Sequence, residues 1–463
     1  MGTRSKVKVE QTPISAEMAQ INLNAAGLDI GASEIWVAIP PGREQETVRV
    51  FGSFTPDLIA LANWLKKARV DTVALESTGV YWIPIYNLLE ERGLQVCLVN
   101  PGHLKQVPGR KSDLKDCQWI QQLHTYGLLS ASFRPSDDIR VLRTLVRQRT
   151  GLIEDRAISI QHMHKALQQM NLQLGLVVTD ITGLTGMGIM RAIVAGERAP
   201  KQLAVHRDRR CTSSEETIAK ALMGNYRVEL VFVLKQALAL YDFYTQHIAD
   251  CDREIERQLA TIPSVLNPDD PPPTLNTKPN SHSKNAPGPE VPMALYRIAG
   301  VNLLDVPGFS ASTVQTLLSE IGTDLSAFPT EKHFCSWLGL APHNDISGGK
   351  VLRTRTLPTA NRAGQALRMA AQSAGRGQSA ISAYYKRIKG RIGAQQAIVA
   401  TAHKLGHIVY CMLKEHRPYS DIGADAYNQR WQDRQINQLR HQAEALGFVL
   451  TLKPATADAA AGG

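Results

Sequence analysis

Four acidic residues near the start of the chain have side chains suited to binding a metal ion. Asp29 follows the apolar run AAGL, Glu76 ends the run DTVALE, and Asp113 and Asp116 are three residues apart in RKSDLKDCQW. Mg²⁺ prefers oxygen ligands and is usually held by a few carboxylates together with substrate phosphates. Because a pair of such ions can bind both the attacking and the leaving oxygen of a phosphodiester, the four acids indicate chemistry on nucleic-acid backbones.

The charge of the chain also indicates a polyanionic partner. The formal net charge is +10 and the pI is about 9.3, and no Asp or Glu occurs from Ile346 to Leu413. A run of charge is often only a solvated face, but cations without balancing acids over this length favour contact with phosphates. The cations of this acid-free stretch are Lys350, Arg353, Arg355, Arg362, Arg368, Arg376, Lys386, Arg387, Lys389, Arg391 and Lys404.

Cysteine and histidine spacing excludes several other kinds of site. The six cysteines include no CxxC pair, so neither a zinc ribbon nor a disulfide framework is indicated, and a reducing cytosolic compartment is expected. His162 and His164 are two residues apart, which is poor spacing for two ligands on one helix face. The most apolar helical stretch contains Glu229 and Lys235, so we expect no membrane span and no membrane partner.

The elements that must position the acids form an α/β region. Residues 1–24 resemble a flexible leader, and residues 25–132 alternate strand and helix signals in the order βββαβαβα. The acids fall on the first strand, at the end of the fourth strand and at the start of the last helix. Asp113 and Asp116 then share one helix face, and the sheet could bring the other two acids next to them.

A long helical region follows, from 133 to 262. Apolar residues repeat at three- and four-residue spacing, which predicts a coiled coil or a long helical hairpin with the stretch from Val228 to Leu259 as antiparallel partner. An arm of this size often dimerises, although packing alone would explain the pattern. The residues of the predicted stripe are Ile139, Leu142, Val146, Ile153, Ala157, Ile160, Leu167 and Leu174.

The C-terminal part begins after a Pro/Asn-rich segment, 263–292, which predicts a linker or disordered insert. Residues 293–420 predict a mostly helical domain, and 421–463 a tail. A turn at Pro307–Gly308 between two helices could present backbone N–H groups to phosphate, or it could simply pack. Ser347 precedes Gly348–Gly349, where the backbone can turn sharply and expose a side chain, although serine before glycine is also common in ordinary turns.

Two blocks of this sequence resemble a known family. GLDIG, LESTGVYWIPIYNLLEERGLQVCLVNP and RKSDLKDC lie in the first block, and LLDVPGFSASTVQTLLSEIG, FCSWLGLAP and SGGK in the second. Together they resemble the DEDD transposases of bacterial insertion sequences, the insertion-sequence one-ten family. The resemblance covers about 25–130 and 295–415, in the order found in that family.

The resemblance implies a fold that is α/β plus all-α, with a ribonuclease-H-like, RuvC-like N-terminal domain and a mostly helical transposase domain. Asp29, Glu76, Asp113 and Asp116 would hold Mg²⁺ or another hard divalent ion, and Ser347 would attack DNA to form a phosphoserine link. The resemblance further implies a structured noncoding guide RNA, subunits that share a composite site in a dimer or tetramer, and a bacterial cytoplasmic, nucleoid-associated location.

Cations near these groups are the candidate nucleic-acid contacts: Arg110, Lys111, Lys350, Arg353, Arg355 and Arg362. The sequence departs from the family at two places. It has PGFS where Pro-Gly-Ile-Gly is common, and it has LPTANRAG where family members carry a Lys-Arg-Gly-Asn-like segment, whose contacts Arg362 could replace.

Two alternatives stay open. One is a RuvC-like structure-specific nuclease that gives Ser347 no role, and the other is an inactive nucleic-acid-binding scaffold.

Overall fold

The computed structural model describes residues 19–77, 79–100, 113–266, 275, 283–356 and 361–451, with the backbone alone for 113–115, 343 and 354. Two units, Met1–Arg134 and Pro135–Gly463, can be separated. Among the helices of these described ranges, none combines the length and apolar content needed to cross a bilayer.

The first unit is built on a five-stranded mixed sheet with strand order β3-β2-β1-β4-β5. β2 pairs antiparallel with β1 and β3, whereas β4 runs parallel to β1 and β5 runs parallel to β4. The described elements follow the predicted order βββαβαβα. They are β1 Ala25–Ile30, β2 Glu34–Ala38, β3 Val48–Gly52, α1 Thr55–Lys67, β4 Thr72–Glu76, α2 Trp82–Glu91, β5 Gln95–Val99 and α3 Asp113–Thr125.

Both faces of this sheet are covered, which explains why β1 and β4 consist of nearly continuous apolar residues. Leu28 and Leu75 pack with Leu61 of α1 and Ile85 of α2 on one face. On the other face, Ala74 and Val99 pack with Ile120 and Leu123 of α3. The result is a three-layer α/β arrangement with β1 and β4 at its centre.

The second unit begins with two long antiparallel helices, α4 Asp137–Gln169 and α9 Val228–Thr261. The side-chain amide of Gln258 donates to the carbonyl of Asp138, and the Arg156 guanidinium donates to the Thr245 hydroxyl. The beginning of α4 therefore lies beside the end of α9. This is the predicted antiparallel pairing of the helical arm, while supercoiling and dimerisation stay predictions.

The packed stripe of α4 differs from the predicted one. Ala157 is exposed, whereas Arg149 and Arg156 are only 5% and 6% exposed. Leu174 lies beyond the helix, because Asn171 adopts a left-handed backbone conformation with φ of 55° just after α4 ends. The apolar repeat is interrupted because two arginines that contact α9 take stripe positions.

Four shorter helices close a separate core against α4 and α9. They are α5 Leu174–Val177, α6 Leu184–Ala195, α7 Pro200–Ala204 and α8 Glu215–Ala221. Met163, Ile189 and Leu234, which come from α4, α6 and α9, are fully buried in this core.

Part of the predicted linker is bound to the arm. The Arg149 guanidinium donates to the carbonyl oxygens of Asn285 and Ala286 at 3.2 and 3.1 Å, and Arg156 donates to the side-chain oxygen of Asn285 at 2.6 Å. Lys284 pairs with Asp180 at 2.8 Å. Residues 283–286 therefore have defined partners, while 267–274 and 276–282 lie outside the described residues.

The C-terminal part is helical apart from one β-hairpin. Its elements are α10 Val291–Ala299, a 3₁₀ turn Leu303–Asp305, α11 Ala311–Ile321, α12 Glu331–Trp337, β6 Pro342–Ser347, β7 Lys350–Thr356, α13 Arg362–Ala374, α14 Ala380–Ile392, α15 Ala394–Glu415 and α16 Ala424–Ala445. The buried face of α15, with Leu405 and Val409 at its centre, packs against α12, α13 and α14. Helix α16, inside the predicted tail, has no buried residue and was not predicted.

The Pro307–Gly308 turn lies between the 3₁₀ turn and α11, as predicted. Gly308 has φ of 89°, and a Cβ there would lie 2.3 Å from the carbonyl oxygen of Ala370 in α13. Only glycine avoids both the backbone strain and the steric overlap. The turn therefore serves the close packing of α13, the plainer of the two roles considered for it.

Candidate active site and nucleic-acid interface

Two of the four predicted metal ligands lie on neighbouring strands. β1 and β4 run parallel with Leu28 opposite Leu75, and Asp29 and Glu76 are the next residues of the two strands. Both acids therefore stand at the carboxyl ends of adjacent parallel strands, the edge where open α/β sheets commonly bind ligands. Glu76 is only 7% exposed, whereas Asp29 is half-buried.

Strand alternation places Glu76 on the face covered by α3. Leu75 belongs to the core formed with α1 and α2, and successive side chains of a strand point to opposite faces. Ala74 accordingly packs with residues of α3, and Glu76, two residues later, shares that face.

Asp29 shares a face with Gly27, and Gly27 lies directly against α3. A Cβ at Gly27 would be 2.3 Å from both the carbonyl oxygen of Cys117 and the backbone nitrogen of Gln121. Only a residue without a side chain permits this approach of strand and helix. The helix that carries Asp116 is thereby held close to the strand that carries Asp29.

Two of the acids influence the buried thiol of Cys117. Burial is the main cause that raises the pKa of this thiol to about 12, and the negative charges of Asp29 and Asp116 raise it further. A charge disfavours a nearby thiolate only within a short range in a partly desolvated site. Asp29 from the sheet and Asp116 from α3 therefore both act on the same buried sulfur.

The fourth acid is described by its backbone alone. Asp113 is the first residue of α3, one turn before Cys117, while Arg110 and Lys111 lie outside the described residues. Among the side chains that the structure describes, no three of His, Cys, Asp and Glu are grouped so that they could hold a metal ion. The acids nevertheless supply the hard oxygen donors that Mg²⁺ takes, with Glu76 buried and Asp29 half-buried beside it.

Ser347 ends β6 in the two-stranded hairpin. It pairs with Lys350 across a two-residue loop, in which Gly348 and Gly349 have φ of 56° and 75°. Two successive positive φ angles are the requirement of a type I′ turn, which glycine meets without strain. The Ser347 side chain is exposed, as its position before two glycines predicted, so solvent and large substrates can reach its hydroxyl.

The predicted nucleic-acid contacts of the second unit share this exposure. Lys350, Arg353 and Arg355 lie on β7, and Arg362 begins α13; all four side chains are exposed. Arg353 and Arg355 are two residues apart and so project from the same face of the hairpin. Three large apolar side chains beside them, Ile346, Val351 and Leu352, are also 55–71% exposed.

Three other cations of the acid-free stretch make contacts within the second unit, while phosphate contact by the stretch stays a prediction. Arg368 donates to the carbonyl of Gly339 at 2.8 Å. Arg387 stacks 5.1 Å from the centre of the Trp431 ring. Burial, followed by the charges of Arg387 and Arg434, lowers the pKa of Lys404.

Family comparisons match both halves of this arrangement. A family model described as Transposase, DEDD_Tnp_IS110, matches residues 26–172, and a model described as Transposase IS116/IS110/IS902 family matches residues 301–386. The chain belongs to the IS110 family of insertion-sequence transposases. Comparison with curated proteins found no match.

The two matched ranges contain all the proposed reactive groups of this IS110-family chain. The first range holds the four acids and Gly27, and the second holds Ser347 with the four exposed cations of the hairpin and α13. Family membership indicates an enzyme that acts on DNA and a mixed α/β N-terminal region typical of DEDD nucleases. Divalent metal use is general in that group.

Sequence reasoning missed two residues of the acidic site. Gly27 was not singled out, although a glycine inside a buried strand is a signal for close backbone approach. Cys117 was considered only as one of six cysteines without a CxxC partner. Its proximity to Asp29 depends on how α3 packs against β1, which no local pattern reveals.

Proposed function

We propose that this chain is a DNA transposase that excises and inserts an insertion sequence by metal-assisted strand cleavage and exchange through a phosphoserine intermediate. Asp29, Glu76 and Asp116, with Asp113, would hold Mg²⁺ or a similar ion. The observation that carries the proposal is the position of Asp29 and Glu76 at the ends of paired strands, on the face covered by α3. The order of the sheet, with one antiparallel strand between β1 and β3, supports a ribonuclease-H-like, RuvC-like assignment.

The chemistry assigned to Ser347 is a balanced phosphoryl transfer. The hydroxyl oxygen attacks the phosphorus, the serine proton leaves to a base or to water, and the displaced oxygen departs as a DNA hydroxyl. A hydroxyl of another strand then attacks the phosphoserine, which restores the serine and joins the strands. A bound divalent ion would stabilise the charge that develops on the phosphate oxygens.

The partners follow from the same proposal. Lys350, Arg353, Arg355 and Arg362, together with Arg110 and Lys111, would bind nucleic-acid phosphates. A noncoding RNA that pairs with element and target would supply sequence choice, so the protein needs mainly backbone contacts. Exposed apolar residues on the hairpin support burial against a partner surface, in agreement with a dimer or tetramer whose subunits share the composite site.

The decisive experiment compares Ser347→Ala with wild type on DNA that carries the element ends. We expect loss of strand exchange and loss of the covalent protein–DNA species, with unfolding free energy within about 0.5 kcal/mol of wild type because the side chain is exposed. Cleavage that persists in Ser347→Ala would instead favour a metal-dependent nuclease that uses water. Absence of cleavage by the wild type under all metal conditions would favour a binding scaffold.

A further inference from the structure

A groove of about 600 Å³ lies between the base of the hairpin and helices α14 and α15. Its walls include the apolar side chains of Pro342, Ile392, Val399 and Ala400. The size falls within the range of sites that take small organic groups, about 300–1,000 Å³. Of the described side chains, neither those of the acids nor that of Ser347 lines the groove, although that of Arg355, a proposed phosphate contact, does.

The polar side chains that line the groove suit a nucleobase. Gln395, Gln396 and His403 contribute from α15, and Tyr384 contributes from α14. Glutamine amides offer both donors and acceptors to a base edge, and an aromatic ring offers a stacking surface. Lys404 lies 4.8 Å from the centre of the Tyr384 ring and helps to fix the orientation of that ring.

The groove carries positive charge at the side that faces the hairpin. Arg355 lines the groove from β7, and its side chain is exposed. The next residue, Thr356, pairs with Pro342 at the base of the hairpin. A cation beside an apolar pocket complements a nucleotide, whose base is apolar on its faces and whose phosphate is anionic.

The hairpin also sets the distance between the groove and Ser347. Pro342 and Ser347 are the first and last residues of β6, so they are separated by about 17 Å at roughly 3.3 Å per residue. Stacked nucleotides of one strand rise about 3.4 Å each. A strand whose phosphate lies at Ser347 therefore reaches the groove within about five nucleotides.

We propose that this groove binds an unstacked base of the DNA strand attacked by Ser347, with Tyr384 as stacking partner and Arg355 on the adjoining phosphate. The inference rests on the proposed function only in taking DNA as the substrate. A base can stack on Tyr384 only after it leaves the stack of its own strand. Binding of that one base in the groove would then fix the position of the strand along the hairpin.

The test measures binding rather than cleavage, using the full chain and fluorescent hexanucleotides. Wild type should bind hexathymidylate about 5- to 150-fold more tightly than an abasic hexamer with the same sugar–phosphate backbone. This ratio corresponds to about 1–3 kcal/mol of stacking free energy. Ala400→Trp, which fills the groove, should bind the two hexamers with equal affinity. Gln396→Trp fills it from an exposed position and provides a second test if Ala400→Trp does not fold. Ala445→Trp, on exposed α16, should keep the ratio.

Several outcomes would overturn the inference. Equal affinity of wild type for both hexamers, or a ratio unchanged by both groove-filling variants, would show that no base enters. Tighter binding of hexauridylate than hexathymidylate with the same dependence on the groove would identify RNA as the occupant. Because Ser347→Ala should keep the base preference, failure of the proposed chemistry and failure of the groove assignment give different results.

Discussion

Gly27 of β1 and Gln121 of α3 are in backbone contact, since a Cβ on Gly27 would lie 2.3 Å from the amide nitrogen of Gln121. Asp29 follows two residues later on the same strand, and Asp116 lies about one turn earlier on the same helix. The close approach of β1 and α3 at Gly27 therefore fixes how near the segments that carry the two carboxylates lie to each other.

Substitution Gly27→Ala should therefore affect both folding and reaction. The added methyl must push α3 away from the sheet, and overpacking of this kind costs about 1–3 kcal/mol of unfolding free energy. We expect a lower urea midpoint and slower strand cleavage. Gly151→Ala is the control, because a Cβ at Gly151 meets nothing within 4 Å and alanine stabilises a helix interior by about 0.5–1 kcal/mol. Unchanged stability and cleavage in Gly27→Ala would contradict the close packing.

Substitution Asp29→Asn should remove stabilisation by divalent metal. An ion that binds only the folded state raises the unfolding free energy by about 2.7 kcal/mol at one hundred times its dissociation constant. Wild type should show this gain in a Mg²⁺ titration followed by thermal unfolding, and Asp29→Asn should show little of it. Glu91→Gln, an exposed acid of the same unit, should respond like wild type. An equal gain in all three proteins would rule out Asp29 as a ligand.

The double substitution Arg353→Gln and Arg355→Gln should flatten the salt dependence of DNA binding. Each lost phosphate contact reduces the slope of log affinity against log salt by about 0.7–0.9, so the pair should change it by about 1.4–1.8. Arg253→Gln with Arg257→Gln removes the same charge from the arm, where each arginine pairs with an acid three residues earlier. A slope changed equally by both doubles would mean that only net charge matters.

Replacement of Arg149 by methionine should destabilise the arm strongly. Arg149 donates to both carboxylate oxygens of Asp252, at 2.6 and 3.3 Å, and is only 5% exposed. Loss of the guanidinium leaves a partly buried carboxylate and two carbonyl oxygens without their donor, so we expect about 2–4 kcal/mol of destabilisation in urea unfolding. The exposed pair of Arg191 and Asp242 provides the matched comparison, and Arg191→Met should cost less than about 1 kcal/mol. Similar losses in the two variants would refute a special role for the buried pair.

The sheet could be predicted because each strand has a local signature. β1 and β4 are apolar runs bounded by polar residues, and the helices between them repeat at three and four residues. The position of Asp29 beside Glu76 needed the strand order as well, since 47 residues separate them in the chain. Local patterns predicted the two strands, whereas their adjacency depends on pairing between distant segments.

The arm shows where local patterns fail. The predicted apolar stripe did not include Arg149 and Arg156, because charged side chains are seldom buried without partners. Their partners, Asp252 and Asn285, lie more than 100 residues away along the chain. Helix α16 was missed for the opposite reason, since it buries no residue and so lacks the apolar stripe by which helices are recognised.

The carboxylates of Asp29 and Glu76 are borne by hydrogen-bonded strands rather than by connecting segments. Insertions and deletions in such segments, including lengthening of 263–292, would leave the spacing of this pair intact. The spacing of this pair therefore depends on the register of β1 and β4 and not on the length of the segments that connect other elements.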